Sequence, residues 1–224
     1  MKIIPRISLA VLCLLAISAL LGCGSSTEAE PPLSETLGKA LNAFRNADVA
    51  RSGIAVPGSA VGLFRPGEEP VVAADGYANN DTKTPLLTDS PFRIGSQTKT
   101  FAAALIFQLE QEGKLSIDDT ISTYVEYPGG DKITLRHLLG HTSGVISFTD
   151  DRLRTSLDTL VEENEFPTPA QLVKMCADSG ISEFEPDTKF SYSNTGYILL
   201  GLIAEAVEKK PWHEQVRARF LDPL

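Results

Sequence analysis

Cysteine is scarce in this sequence, with three in 224 residues, at positions 13, 23 and 176. Lys2 and Arg6 followed by the apolar run Ile7 to Leu21 read as a secretory leader, too short for a comfortable membrane span. Cys13 would leave with it, so no disulfide framework can form within one mature chain. Cys176 lies among Leu172, Val173 and Met175 at helical spacing and reads as a core residue. Basic charge is also short: the formal net charge is −9 and becomes more negative once Lys2 and Arg6 are removed. Phosphate-backbone binding is therefore excluded, and nucleic acid is not expected as a partner. Neither G-x-G-x-x-G nor a P-loop occurs, which leaves nucleotide binding without support. His137 and His141 stand four apart, but no Glu follows His137 as in H-E-x-x-H and no third ligand is evident, so no metal and no cofactor are expected. There is no internal repeat.

What is present is ordinary globular composition, 42% hydrophobic and 22% charged, enough for one sizeable domain. The leader spans residues 1–22. Its end, Leu20-Leu21-Gly22-Cys23, resembles the bacterial lipobox, which makes Cys23 a lipidated anchor; the alternative is an ordinary signal peptide with an incidental cysteine. Small, polar and proline-containing residues then form a tether, so that 23–33 are anchor and linker and 34–224 the domain.

Within that domain, Leu37, Leu41 and Phe44 space a first amphipathic helix from Ser34 to about Asp48. Ser59 to Phe64 and Val71 to Tyr77 read as a β-hairpin around a Pro-Gly turn, and Asn79 to Thr88 as a polar loop. A strand-like Phe92-Arg93-Ile94 precedes Ser96-Gln97-Thr98-Lys99, which opens an apolar helix closed by Gly113. Thr134 caps another helix, and His141-Thr142-Ser143-Gly144 reads as a tight turn. Thr168-Pro169 starts a helix ending near Asp178, a buried helix runs from about Thr195 to Val207, and a last helix runs from Pro211 to Phe220.

Ser96 and Lys99, three apart at a helix start, lie on one face within hydrogen-bond reach of each other. They pair a nucleophile with a base. A free lysine titrates at about 10.4, so the pairing requires burial and the positive helix end to disfavour the ammonium. Tyr192 and Asn194, two apart on an extended segment, point the same way, and a phenol beside an ammonium can shuttle a proton. Tyr77-Ala78-Asn79 has the same Tyr-x-Asn form but precedes the nucleophile at a strand end.

Three stretches together resemble the class C β-lactamase-like serine hydrolases, above all their D-alanyl-D-alanine carboxypeptidase and esterase branches. They are Ser96-Gln97-Thr98-Lys99, Ile133 to Gly144, and Phe190 to Gly201. The resemblance implies an α/β fold of the α+β type, an antiparallel sheet with flanking helices plus a helical region. It implies an acyl-enzyme: Ser96 attacks an amide, ester or lactam carbonyl, Lys99 and Tyr192 handle protons, and Asn194 orients Lys99 and the substrate amide. The Ser96 backbone N–H would be one arm of the oxyanion hole. The expected partners are a small-molecule or peptidoglycan-peptide substrate and, through the anchor, a membrane. The setting is the bacterial cell envelope, periplasm or cell surface, and the chain is expected to be a monomer.

One departure stands out, because the family's Lys- or His-x-Gly triplet on a late strand has no match before Leu224. The expectation is a truncated chain without the C-terminal strands, weakly active or inactive and poorly soluble. A rival reading keeps the fold and drops the catalysis, leaving an envelope lipoprotein that binds peptidoglycan peptides or a protein partner through the same pocket. A third makes the domain a structural tether only.

Overall fold

A computed structural model describes residues 31–53 and 56–223. The leader, Cys23 and most of the tether lie outside the described residues. Two compact units meet between Phe92 and Arg93. No helix among the described residues is long and apolar enough to cross a membrane.

The first unit is a helix laid on a small sheet. Helix α1 (Leu33–Ser52) packs against strands β1 (Gly58–Leu63) and β2 (Val71–Asn79), which pair antiparallel from Gly58 opposite Gly76 to Leu63 opposite Val71. The hairpin and its turn stand where the apolar runs and Pro66-Gly67 put them. A third short strand, β3 (Thr84–Pro85), pairs antiparallel with β2 through a bulge between Tyr77 and Asn79. That corrects the expectation of a plain loop over Asn79 to Thr88; two residues are too few to show a period-2 pattern. Gly76 cannot be replaced without movement. Its φ is +90°, and a Cβ there would stand 2.3 Å from the Pro57 carbonyl oxygen and 2.5 Å from Arg45 Cζ. The space is filled instead by Arg45, which ion-pairs with Asp75 and donates from Nε to the Val56 carbonyl at 3.0 Å.

The second unit is helical. Residues 91–94 form no strand. Ile94 is already in the right-handed helical region and Gly95 takes φ +54°, so the chain turns directly into a 3-10 turn (Gly95–Gln97) and then helix α2 (Thr98–Gln111). The strand expectation over Phe92 to Ile94 fails because, among the described residues, no strand pairs with them and the Ile94 carbonyl is taken by the Gln97 N–H at 3.1 Å, whereas a strand needs a partner strand for its backbone groups. The other end behaves as expected: Gly113 adopts φ +69°, its N–H meets the Glu110 carbonyl at 2.9 Å, and the Lys114 N–H meets the Leu109 carbonyl at 3.0 Å. This is the paired closure a left-handed glycine permits.

Thr134 caps α3 (Leu135–Leu139) and Thr168 caps α5 (Pro169–Asp178), each exchanging bonds with the residue three on, His137 and Gln171. Between them α4 (Arg154–Asn164) was not anticipated. It carries Leu157, Leu160 and Val161 at helical spacing, yet none of its residues is buried. The long buried helix is α6 (Asn194–Glu208), capped by the Ser193 hydroxyl; the last is α7 (Trp212–Val216), which continues as a π-helical turn (Arg217–Leu221) rather than an α-helix to Phe220.

The core forms where α6 meets α2, α3, α5 and α7. Leu105, Ile106 and Leu109 of α2, Leu135 and Leu138 of α3, and Leu199, Leu200 and Ile203 of α6 are all essentially inaccessible to solvent. The i, i+3, i+4 spacing on each helix produces these faces. Cys176 is buried as expected, with Sγ 3.3 Å from Thr195 Oγ1.

Candidate active site

The floor of the site is the α2 N-terminus. Ser96 lies in the 3-10 turn and Lys99 in the first turn of α2, with Lys99 Nζ donating to Ser96 Oγ at 3.3 Å. Backbone N–H groups at such a start have no partner inside the helix. Ser96 is exposed and Lys99 half-buried, so the deep burial expected around the lysine is not there. Its neighbours are polar and aromatic instead. Nζ donates to Asn194 Oδ1 at 2.7 Å and stands 4.7 and 5.6 Å from the ring centres of Tyr192 and Tyr197. An amide oxygen and aromatic faces are partners that suit an ammonium.

The wall opposite is Tyr192, whose phenol donates to Ser96 Oγ at 2.8 Å across a sequence separation of 96. How it gets there is visible in the backbone. His141 takes φ +57° and Gly144 φ +73°, making the tight turn read from the sequence. Residues 183–193 run along that turn, with the Glu183 N–H on the Gly144 carbonyl at 2.9 Å, Asp187 on Thr142 at 2.8 Å and Ser191 on His141 at 3.0 Å. The approach is so close that a Cβ on Gly144 would stand 2.0 Å from the Phe184 carbonyl oxygen. The Ser193 N–H then donates to His141 Nδ1 at 3.1 Å, and the imidazole lies against the Tyr192 ring with centres 4.5 Å apart.

His141 is thus the residue that sequence reasoning saw but did not use. Its Nδ1 accepts from Ser193, while His137 Nδ1 accepts from the Thr134 N–H at 3.2 Å. The two imidazoles serve separate backbone caps. Burial first, then the charge of Lys99, pushes His141 below its usual value, which keeps it the neutral acceptor that Ser193 needs.

The two tyrosines are driven apart. The Lys99 side chain, then the hydrogen bond with Ser96, hold the Tyr192 phenol below its ordinary value. Tyr197 is raised, by burial and then by Tyr192, and its hydroxyl is committed to the Leu139 carbonyl at 3.1 Å. Tyr192 is the one suited to exchange a proton with Ser96. The Tyr77-Ala78-Asn79 look-alike has another occupation: the Tyr77 N–H bonds the Pro57 carbonyl at 2.8 Å, and Asn79 Oδ1 accepts from the Asp81 and Thr82 N–H groups at 2.9 and 3.0 Å. It shapes a turn.

The geometry therefore brings Ser96, Lys99, Tyr192 and Asn194 into one hydrogen-bonded group within the second unit. It adds Ser147 and Thr149, which sequence reasoning missed: Asn194 Nδ2 donates to Ser147 Oγ at 3.3 Å and to Thr149 Oγ1 at 3.0 Å. Their only sequence signal is a Ser-x-Thr shortly after the His141 turn, too common to single out.

Known proteins resemble this chain over most of its length. The chain is 34% identical over 186 residues to penicillin-binding protein 4 of Amycolatopsis lactamdurans, covering 79% of this chain and 45% of that one. In three dimensions it matches a D-amino acid amidase from Ochrobactrum anthropi SV3, solved with L-phenylalanine amide, at TM-score 0.69 and 31% identity, over 84% of this chain and 51% of the other. An octameric penicillin-binding protein homologue from Pyrococcus abyssi matches at TM-score 0.68 and 32% identity, over 84% and 42%. With an octamer among its relatives, the expected monomer has no support. The chain spans about half the length of these proteins or less. Residues 46–224 match the family described as Beta-lactamase, and this chain belongs to that family, on the class C-like serine hydrolase side.

Proposed function

We propose that Ser96 is an acylating nucleophile and that the protein is a hydrolase of amide, ester or lactam carbonyls, D-alanyl-D-alanine carboxypeptidase-like or β-lactamase/esterase-like. The observation that carries this reading is the 2.8 Å contact between Tyr192 OH and Ser96 Oγ, with Lys99 Nζ 3.3 Å from the same oxygen. In the ionised form of Tyr192, the Ser96 proton passes to the phenolate oxygen, the nearer of the two groups, as Ser96 Oγ bonds the carbonyl carbon. The adjacent Lys99 ammonium stabilises the phenolate that receives it. Tyr192 then returns the proton to the departing amine or alkoxide as the carbonyl–leaving-group bond breaks. Water releases the acyl group by the same route reversed. In this reading the Ser96 N–H, at the start of a helix, serves as one arm of the oxyanion hole. In this scheme Lys99 acts through charge on Tyr192 more than as the neutral base first expected.

The relatives' descriptions, penicillin-binding and D-amino acid amidase, favour a lactam or an amide flanked by a D-centre as the substrate class. The basic start, apolar run and Leu20-Leu21-Gly22-Cys23 ending favour export to the cell envelope with Cys23 as a lipid anchor. The test is incubation of the protein with a fluorescent penicillin and with a fluorophosphonate, followed by peptide mass spectrometry. The expected label sits on the peptide containing Ser96 and disappears in Ser96→Ala. Absence of label from that peptide, or label that persists in Ser96→Ala, overturns the reading.

A further inference from the structure

The donors and acceptors around Asn194 can be counted one by one. Its Oδ1 accepts from Lys99 Nζ at 2.7 Å. Both Nδ2 hydrogens are used, one on Ser147 Oγ at 3.3 Å and one on Thr149 Oγ1 at 3.0 Å. Ser147 Oγ also accepts from the Asn194 backbone N–H at 3.2 Å. With both lone pairs engaged, the Ser147 hydroxyl has its own hydrogen left, and the oxygen in reach is Thr149 Oγ1 at 3.0 Å. Thr149 then accepts twice, from Ser147 and from Nδ2. Its own O–H is the one donor of the group left over, on an exposed residue.

This loop does not drift. The Phe148 N–H between the two hydroxyls donates at 2.8 Å to Oγ1 of Thr195, which is wholly buried in the first turn of α6. The pair is tied to the helix that carries Asn194.

We propose that Ser147 and Thr149 are positioning residues: their paired hydroxyls accept both Nδ2 hydrogens and lock the plane in which Asn194 presents Oδ1 to Lys99. An amide has two orientations of nearly equal shape. Lys99, a donor only, selects the end that faces it, because flipped, the Asn194 NH2 and the Lys99 Nζ would present hydrogens to each other; the two hydroxyls then accept both Nδ2 hydrogens and hold the plane of the amide. That deepens the hydrolase reading and rests on it for the catalytic consequence, but not for the orientation itself.

The test compares Thr149→Val, which keeps the shape and removes the hydroxyl, with Thr149→Ser, which restores it, and adds Ser147→Ala. The Asn194 side-chain NH2 pair, assigned by its loss in Asn194→Ala, is followed by 1H–15N NMR. Its solvent exchange is expected to be slow in the unaltered protein and in Thr149→Ser, and fast in Thr149→Val and Ser147→Ala. The rate of Ser96 acylation is expected to fall in both of the latter by up to about a hundredfold and to recover in Thr149→Ser. Unchanged core methyl spectra separate misfolding from loss of orientation. Identical NH2 exchange in Thr149→Val and the unaltered protein, or a Thr149→Ser variant as impaired as Thr149→Val, overturns the proposal. If Ser96 is never acylated but the NH2 exchange responds as expected, the hydrolase reading falls and the orienting role of the hydroxyls stands.

Discussion

Replacing Tyr192 by Phe removes one oxygen and little else. The ring that lies 4.5 Å from His141 and 4.7 Å from Lys99 Nζ remains, and the lost hydroxyl sits on a side chain that is 45% exposed. Folding stability should move by no more than about 0.5 kcal/mol. What disappears is the group 2.8 Å from Ser96 Oγ that the proposed mechanism uses to take the serine proton. Positioned proton transfer contributes roughly 10² to 10⁴ in rate, which is about 3 to 5 kcal/mol of barrier. The assay is the rate of Ser96 acylation by a chromogenic ester or fluorescent penicillin across pH 5 to 10, alongside urea denaturation. Since Tyr192 is held below the ordinary phenol value, acylation by the unaltered protein should climb with pH and level off below that value. The climb reports the growing phenolate fraction. Tyr192→Phe should be slower by at least a hundredfold and should lose the climb. A variant within threefold of the unaltered protein, with the pH dependence intact, would refute proton transfer through Tyr192.

Gly144→Ala should remove soluble folded protein or leave Ser96 unlabelled, because the new methyl would need the Phe184 carbonyl, 2.0 Å away, to move and with it the strand of chain that delivers Tyr192; thermal unfolding and labelling read both. Leu199→Ala, at a fully buried position shared by several helices, should cost about 2 to 5 kcal/mol in urea denaturation. The fold's pH response should carry a His141 contribution. Its folded value lies below the usual 6.5, so the unfolded chain binds the extra proton first; the contribution is complete above about 6.5 and is lost as pH falls through the folded value. The urea midpoint should therefore drop between pH 7.5 and 5.5, and drop less in His141→Gln.

Local chemistry was legible wherever one segment settles its own structure. Thr134 and Thr168 announce caps, Gly113 a helix end, and the spacing of Leu105, Ile106 and Leu109 a buried face, because each depends on backbone hydrogen bonds or side-chain periodicity within a few residues. The pairing of Ser96 with Lys99 was also visible, since it follows from helix geometry alone.

Only tertiary structure could say what surrounds that pair. The delivery of Tyr192 to Ser96 depends on 183–193 lying along the His141 to Gly144 turn. Asn194 Nδ2 meets two hydroxyls 45 and 47 residues away. Hydrogen bonds between distant segments depend on where the core lets each backbone approach, and no local pattern encodes that distance. The sequence by itself determined which groups were available for chemistry, while the packing of α6 against α2 and α3 decided which of them share protons.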